Sequence, residues 1–142
     1  MIASAFPLVL SIGAFIVLAA TGNLFGPSPI AIAAQVAAVA LNIWARISFK
    51  KGTFRITAEP EGASILKVGP YRFIRHPMYA AALLFVWAGI ASHLSVFTIS
   101  ITIGITAVCL CRIIVEERLL RARYPEYVAY AGSTKRLIPF VI

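Results

Sequence analysis

The stretch HPMYAAALLFVWAGIASHLSVFTISITIGITAVCLC, from His76 to Cys111, contains no Asp, Glu, Lys or Arg. As a single α-helix it would be about 54 Å long, far beyond the hydrocarbon thickness of a bilayer. Its polar cluster Ser92-His93-Leu94-Ser95 therefore predicts a tight turn between two helices. The first helix is expected to start at Pro77, because proline loses no hydrogen bond at the first helical position. The second is expected to run from about Val96 past the end of the stretch.

A second uncharged block, from Met1 to Ala45, is too long for one span and suits two spans of about 20 residues. The segment Thr21–Pro29 (TGNLFGPSP) has two glycines and two prolines, which predict the break. Helix one is then expected over Ser4–Ala20 and helix two over Ile30–Ser48. Helix one lacks the positively charged flank of a signal peptide, so we interpret it as a span.

The composition and the placement of charge predict a membrane protein. The chain is 61% hydrophobic and 13% charged, whereas soluble domains carry about 25% charged residues. Every Lys and Arg lies within 46–75 or 112–136, so four spans put all the charge on one side, which should be cytoplasmic. We expect a bacterial inner-membrane protein, and no nucleic-acid partner, because no soluble module carries the net charge of +8.

The predicted fold is an all-α integral membrane protein with about four transmembrane helices, a cytoplasmic connector and a C-terminal interfacial helix. It forms one domain, with a helical hairpin over residues 1–50 and an interfacial connector over 51–76. We expect Lys50–Leu66 to be extended, because it mixes turn residues with short β-prone runs. Pro125 marks a kink or a restart within Glu116–Ala131.

Ionisable residues gather at the two ends of the predicted hairpin. Arg75 and His76 precede its first helix, and Arg112, Glu116 and Glu117 lie where its second helix leaves the membrane. An antiparallel hairpin places the two groups at the same depth. Such residues inside a helical bundle are functional candidates, although snorkelling arginines and an interfacial salt bridge offer a structural explanation.

Other residue types give weaker signals. Tyr71 and Tyr79 also fit an aromatic belt at the membrane interface. Cys109 and Cys111 point in different directions on a helix, so they fit as small apolar fillers. The histidines, His76 and His93, are far apart in the chain, so no metal site is predicted.

Three segments in order carry a resemblance: GPYRFIRHPMY, then EERLL, then YPEYVAYAGSTKRLIP. Together they resemble the isoprenylcysteine carboxyl methyltransferase and phospholipid methyltransferase family, which are small polytopic membrane enzymes that use S-adenosylmethionine. The resemblance covers roughly Ala63 to Pro139. It implies that residues 77–142 form a cofactor-binding hairpin with a C-terminal helix, and that the first hairpin varies with substrate.

The resemblance also implies a set of cofactor contacts and leaves the catalytic residues open. The implied S-adenosylmethionine contacts are Ile65, Leu66, Tyr71, His76, Pro77, Met78, Tyr79, Arg112, Glu116 and Glu117. The candidates for a catalytic role are Arg75, His76 and Glu116.

The expected reaction is carboxyl O-methylation of an isoprenylcysteine-like or other lipophilic acceptor that enters from the bilayer. The alternatives are a phospholipid (ethanolamine) N-methyltransferase, an NADPH-dependent sterol-reductase-like protein and a non-catalytic membrane accessory protein. A carboxylate acceptor needs no general base, whereas an amine must lose a proton, which makes His76, Glu116 or Glu117 a candidate base. The sequence does not indicate an oligomeric state.

Overall fold

The computed structural model describes the backbone of residues 2–56 and 67–138, and the side chains of residues 11–49 and 67–138. These residues form helices joined by turns, in agreement with the all-α prediction. In chain order the helices are α1 (Ile2–Ala20), α2 (Pro29–Ile56), a 3₁₀ turn (Gly69–Arg72), α3 (Pro77–Ile90), α4 (Val96–Arg123) and α5 (Tyr127–Ser133). The predicted cofactor contacts at Ile65 and Leu66 lie outside the described residues.

The turn predicted between α3 and α4 is confirmed. Ser95 caps α4: its hydroxyl accepts a hydrogen bond from the Thr98 backbone N–H at 3.1 Å, and the Thr98 hydroxyl accepts one from the Ser95 N–H at 3.0 Å. This reciprocal pair satisfies two of the backbone donors that a helix start leaves unpaired. His93 Nε2 lies 3.0 Å from the carbonyl oxygen of Phe25, so the α3–α4 turn contacts the α1–α2 turn.

Helices α2 and α3 pack closely through a small residue and a buried amide. A Cβ on Gly89 would lie 2.9 Å from Gln35 Nε2 of α2 and 2.0 Å from the Leu24 carbonyl oxygen in the α1–α2 turn, so no larger residue fits there. Gln35 Nε2 donates to the carbonyl oxygens of Leu24 at 2.8 Å and Phe85 at 3.3 Å. These hydrogen bonds offset the cost of burying an amide among apolar groups. They also place Gln35 and Phe85 at the same level.

Two helical segments, Pro29–Phe49 and Val96–Arg123, are long and apolar enough to cross a membrane. Their apolar windows are 22% and 28% buried, respectively. Most of this apolar surface therefore faces outwards, unlike that of a core helix in a water-soluble protein. Helix α3 has 14 residues, fewer than the usual span of about 17–25. That α1 and α3 also cross the membrane stays a prediction.

The end of α2 differs from its predicted position. The helix continues through Ile56 rather than ending at Ser48, so the extended connector expected over Lys50–Leu66 is wrong at its N-terminal end.

Helices α4 and α5 are separate helices. Helix α4 extends to Arg123, and α5 begins at Tyr127, so Pro125 marks a restart and not a kink within one helix. Proline cannot donate the backbone hydrogen bond that an uninterrupted helix would need at this position. The break lets α5 fold back towards the start of α3, where the candidate site lies.

Candidate functional site

The 3₁₀ turn before α3 is held against α2 by a glycine. Gly69 has a φ of +59°, a left-handed conformation that favours glycine. A Cβ at this position would lie 2.0 Å from Ser48 Oγ and 3.2 Å from Trp44 Nε1. This close approach holds the 3₁₀ turn against α2. Further along the chain, His76 precedes α3 and Pro77 occupies its first turn, as predicted.

Residues 134–136 hold the segment that leads into α3. The backbone N–H of Arg75 donates to the carbonyl oxygen of Lys135 at 2.7 Å, and that of His76 donates to Arg136 at 3.0 Å. An isolated parallel β-bridge lies beside these hydrogen bonds. The C-terminal part of the chain therefore fixes the backbone that carries two of the candidate residues.

A buried ion-pair network joins this segment to α4. Arg75 Nε donates to Glu117 Oε1 at 2.8 Å, and the two side chains are 8% and 4% exposed. Arg136 Nε donates to the other carboxylate oxygen of Glu117 at 3.1 Å. Arg75 Nη1 also donates to the carbonyl oxygens of Ala131 and Thr134. Because both oxygens of Glu117 already accept hydrogen bonds from arginines, this carboxylate serves to hold helix ends together.

Glu116 belongs to a second, more open cluster. The Tyr79 hydroxyl donates to Glu116 Oε1 at 2.5 Å, and Arg112 Nε donates to the Tyr79 hydroxyl at 3.0 Å. Arg112 Nη2 lies 3.6 Å from Glu116 Oε1, and the two side chains are 27% and 38% exposed. A ligand can therefore reach these groups from outside the protein.

His76 lies between the two carboxylates. Its Nδ1 is 3.8 Å from Glu116 Oε2, and its Nε2 is 3.6 Å from Glu117 Oε1. The ring is buried, and Nε2 has no hydrogen-bond partner among the described residues. Burial lowers the pKa of His76, although Glu116 and Glu117 oppose this effect. The imidazole is therefore neutral at neutral pH, and a neutral imidazole has one nitrogen that can accept a proton.

An aromatic group from α5 supports the 3₁₀ turn. The Tyr130 hydroxyl donates to the carbonyl oxygen of Tyr71 at 2.7 Å, and its ring packs edge-on against Tyr127 with centroids 5.8 Å apart. Burial raises the pKa of Tyr130 to about 12, so this phenol stays protonated and able to donate. The contact with Tyr71 is to the backbone, and it fixes the approach to α3.

Six predicted residues come together where α3 begins and α4 ends: Arg75, His76, Tyr79, Arg112, Glu116 and Glu117. Three other predicted contacts are not joined to this group by a hydrogen bond or ion pair described above: Tyr71, in the 3₁₀ turn, and Pro77 and Met78, in the first turn of α3. Pro77 is buried at the start of α3. Met78 precedes Phe85 by seven residues, so it shares the helix face of Phe85 rather than that of Tyr79. Among residues 11–49 and 67–138 there is no group of side chains suited to a metal ion.

Sequence reasoning missed Tyr130, Thr134 and Arg136. All three lie in YPEYVAYAGSTKRLIP, a segment that carries the resemblance but whose residues were assigned no roles. Their contacts are to backbone carbonyls and to a carboxylate distant in sequence. The contacts of Tyr130 and Arg136 join residues 59 and 19 positions apart, which no local spacing signals, whereas Thr134 donates to the carbonyl four residues before it.

Comparisons with known proteins indicate the family of the chain. A search of curated proteins gave no match. A family model described as Phospholipid methyltransferase matches residues 28–127, from the start of α2 to the first residue of α5. The match includes the whole α3–α4 hairpin with both of its carboxylates, and it reaches further towards the N-terminus than the motifs do. The chain therefore belongs to the phospholipid methyltransferase family, a family of methyltransferases.

Proposed function

We propose that this protein is a membrane methyltransferase that transfers a methyl group from S-adenosylmethionine to an acceptor dissolved in the bilayer. The observation that carries the proposal is the accessible Glu116–Tyr79–Arg112 cluster beside a neutral, buried His76. Ionisable groups at membrane depth are costly, and a polar ligand is a reason to keep them there. Membership of a methyltransferase family supports the same chemistry.

The residues of the cluster fit the polar groups of S-adenosylmethionine. Glu116 can accept hydrogen bonds from an ammonium or from ribose hydroxyls, and Arg112 can pair with a carboxylate. The His76 ring borders this cluster, with Nδ1 3.8 Å from Glu116 Oε2. When bound, S-adenosylmethionine supplies an electrophilic methyl group. The protein contributes alignment, which is the main requirement of a one-step displacement.

The acceptor that we propose first is the amine of an ethanolamine phospholipid. The family description names phospholipids, and an amine must lose a proton that His76 can accept. The amine nitrogen bonds to the methyl carbon as the methyl–sulfur bond breaks, and the released proton passes to His76. The products are the N-methylated lipid and S-adenosylhomocysteine.

The carboxylate of an isoprenylcysteine-like acceptor, expected from the sequence, is the second candidate. The accessible Arg112 favours it, because a guanidinium attracts a carboxylate. A carboxylate is ionised at neutral pH and needs no base. His76→Gln separates the two acceptors: N-methylation should fall, whereas O-methylation should survive provided that the cofactor still binds.

Calorimetry in detergent tests the proposal directly. We expect wild-type protein to bind S-adenosylmethionine and Glu116→Gln to bind it weakly. The matched control is Glu126→Gln, because Glu126 is an exposed carboxylate outside the cluster. Undetectable binding by the wild type would overturn the methyltransferase proposal, and NADPH binding would favour the reductase alternative.

Radiolabelled methyl transfer then identifies the acceptor. Phosphatidylethanolamine and farnesyl-cysteine analogues are offered separately to the wild type in the presence of labelled S-adenosylmethionine. Label in the phospholipid supports the amine acceptor, and label in the farnesyl-cysteine supports the carboxylate. Cofactor binding without transfer to either lipid would favour the accessory-protein alternative.

We further propose that the protein resides in a bacterial inner membrane with the site on the cytoplasmic face. The excess of Lys and Arg at that end of the helices supports this orientation. In a background without Cys109 and Cys111, an impermeant thiol reagent outside the cell should label Ser28→Cys but not Gly132→Cys. The reverse pattern would overturn the orientation.

A further inference from the structure

An apolar groove runs along the outward-facing side of α2, where this helix meets α3 and the α1–α2 turn. Its volume is about 590 Å³. Its walls include Phe25, Ile32, Val36, Val39, Ile43 and Phe85. Gln35 is the polar side chain among the described residues that line it. We call this feature the α2 groove.

The chemistry of the α2 groove suits a hydrocarbon. The Gln35 amide is fully engaged: Nε2 donates to the carbonyl oxygens of Leu24 and Phe85, and Oε1 accepts from the Gly26 N–H. A polar atom in the groove would therefore lose its hydration without gaining a partner from this residue. The remaining walls are aliphatic or aromatic. An alkyl chain meets these requirements.

The α2 groove follows α2 from the α1–α2 turn towards the end of the helix that is nearer the site. Ile32 and Ile43 are eleven residues apart on α2, which is about 16 Å along the helix. The Phe25–Phe85 pair, with ring centroids 6.0 Å apart and nearly perpendicular, lines the end that is far from the candidate site.

The other end of the α2 groove lies level with the candidate site. Gln35 contacts Phe85, and α2 and α3 run in opposite directions. Ile43 follows Gln35 by eight residues, and Pro77 precedes Phe85 by eight, so both are displaced by about 12 Å towards the site end. Met78, in the first turn of α3, shares the helix face of Phe85. An alkyl chain in the groove would thus bring its head group to the start of α3.

We propose that the α2 groove binds one acyl chain of the phospholipid acceptor, with the head group held beside the first turn of α3. This inference rests on the proposed function and adds to it a substrate subsite on the face of α2. Met78 then separates the lipid in the groove from the Tyr79–Glu116 pair, and the head group reaches that pair around the start of the helix.

Photocrosslinking of the full chain in lipid nanodiscs tests the subsite without any need for turnover. The probe is phosphatidylethanolamine with a diazirine in one acyl chain, and mass spectrometry maps the labelled residues. We expect label within residues 32–43. Val39→Trp fills the groove and should abolish this label. The matched control, Ile103→Trp, changes an apolar residue on the exposed face of α4 and should preserve it.

Several outcomes would overturn the subsite. These are equal labelling of α2 and of the exposed face of α4, or unchanged labelling in Val39→Trp. Preferential labelling by a farnesyl-cysteine diazirine would assign the groove to an isoprenoid instead. Crosslinks between α2 helices of two copies would identify the groove as a dimer contact.

S-Adenosylmethionine binding, measured on the same samples, separates the subsite from the proposed function. Val39→Trp should bind the cofactor like the wild type while losing both lipid label and methyl transfer. If the wild type binds no cofactor, the proposed function fails and the acceptor role of the groove fails with it, even if the lipid label is selective. If the wild type binds the cofactor but the groove stays unlabelled, the subsite alone fails.

Discussion

Replacing Arg75 by methionine should destabilise the protein, because the buried carboxylate of Glu117 loses one of its two arginine partners. Glu117 is 4% exposed, and after the change Arg136 would be its remaining hydrogen-bond donor among the described residues. Removing one partner of a buried ion pair costs about 3–5 kcal/mol. Because Arg136 stays 3.1 Å from the carboxylate, we expect the lower end, about 3 kcal/mol. The carbonyls of Ala131 and Thr134 also lose a donor.

The assay is a denaturant titration in detergent, which gives the free energy of unfolding of each variant. The control is Arg118→Met, which removes an exposed arginine from the turn of α4 that carries Glu117. The double variant Arg75→Met/Glu117→Gln should be more stable than the two single effects predict, by about 1–3 kcal/mol. A coupling energy near zero, or an equal loss in the control, would refute the reasoning.

Three further predictions follow from single residues. Gly69→Ala should destabilise the folded protein by about 1–3 kcal/mol, because the new side chain would be strained at positive φ and would contact Ser48. The control Gly132→Ala should be neutral in the same titration, because there is open space around Gly132. Tyr79→Phe should weaken S-adenosylmethionine binding in calorimetry by about tenfold, because Glu116 and Arg112 lose their shared partner; an unchanged affinity would exclude Tyr79 from the cofactor site. Acidification below about pH 6.5 should destabilise the wild type more than His76→Gln, as measured by thermal unfolding.

The sign of the pH effect follows from the burial of His76. Burial lowers the pKa of its folded state, so between that value and the unfolded value the unfolded chain binds more protons. Stability is therefore fully present above the unfolded pKa and falls as the pH drops towards the folded one. Equal acid sensitivity in wild type and His76→Gln would show that other groups control the transition.

The sequence predicted the helical hairpin because its determinants are local. An uncharged stretch too long for one span, a polar cluster in its middle and a proline at its start are sufficient to place α3 and α4. The shared depth of His76 and the two glutamates follows from the same antiparallel geometry. These residues meet in the structure at 3.6–3.8 Å.

The sequence alone does not predict that Glu116 and Glu117 have different environments, which only the structure shows. Adjacent helical residues are about 100° apart, so the sequence already indicates that the two side chains point in different directions. It does not indicate which of them faces the protein interior. That depends on Arg75, Arg136 and the chain after α5, and these contacts join residues 19 or more positions apart.

The pairing of residues 134–136 with the segment before α3 has a consequence for biosynthesis. The candidate spans in α2 and α4 can enter the bilayer as they emerge from the translocation machinery, because each needs only its own backbone hydrogen bonds there. The partners of the Arg75 and His76 backbones are translated about 60 residues later. Assembly of the polar cluster is thus a late docking event. Nascent chains halted before this segment should insert normally, but their polar cluster should remain unassembled.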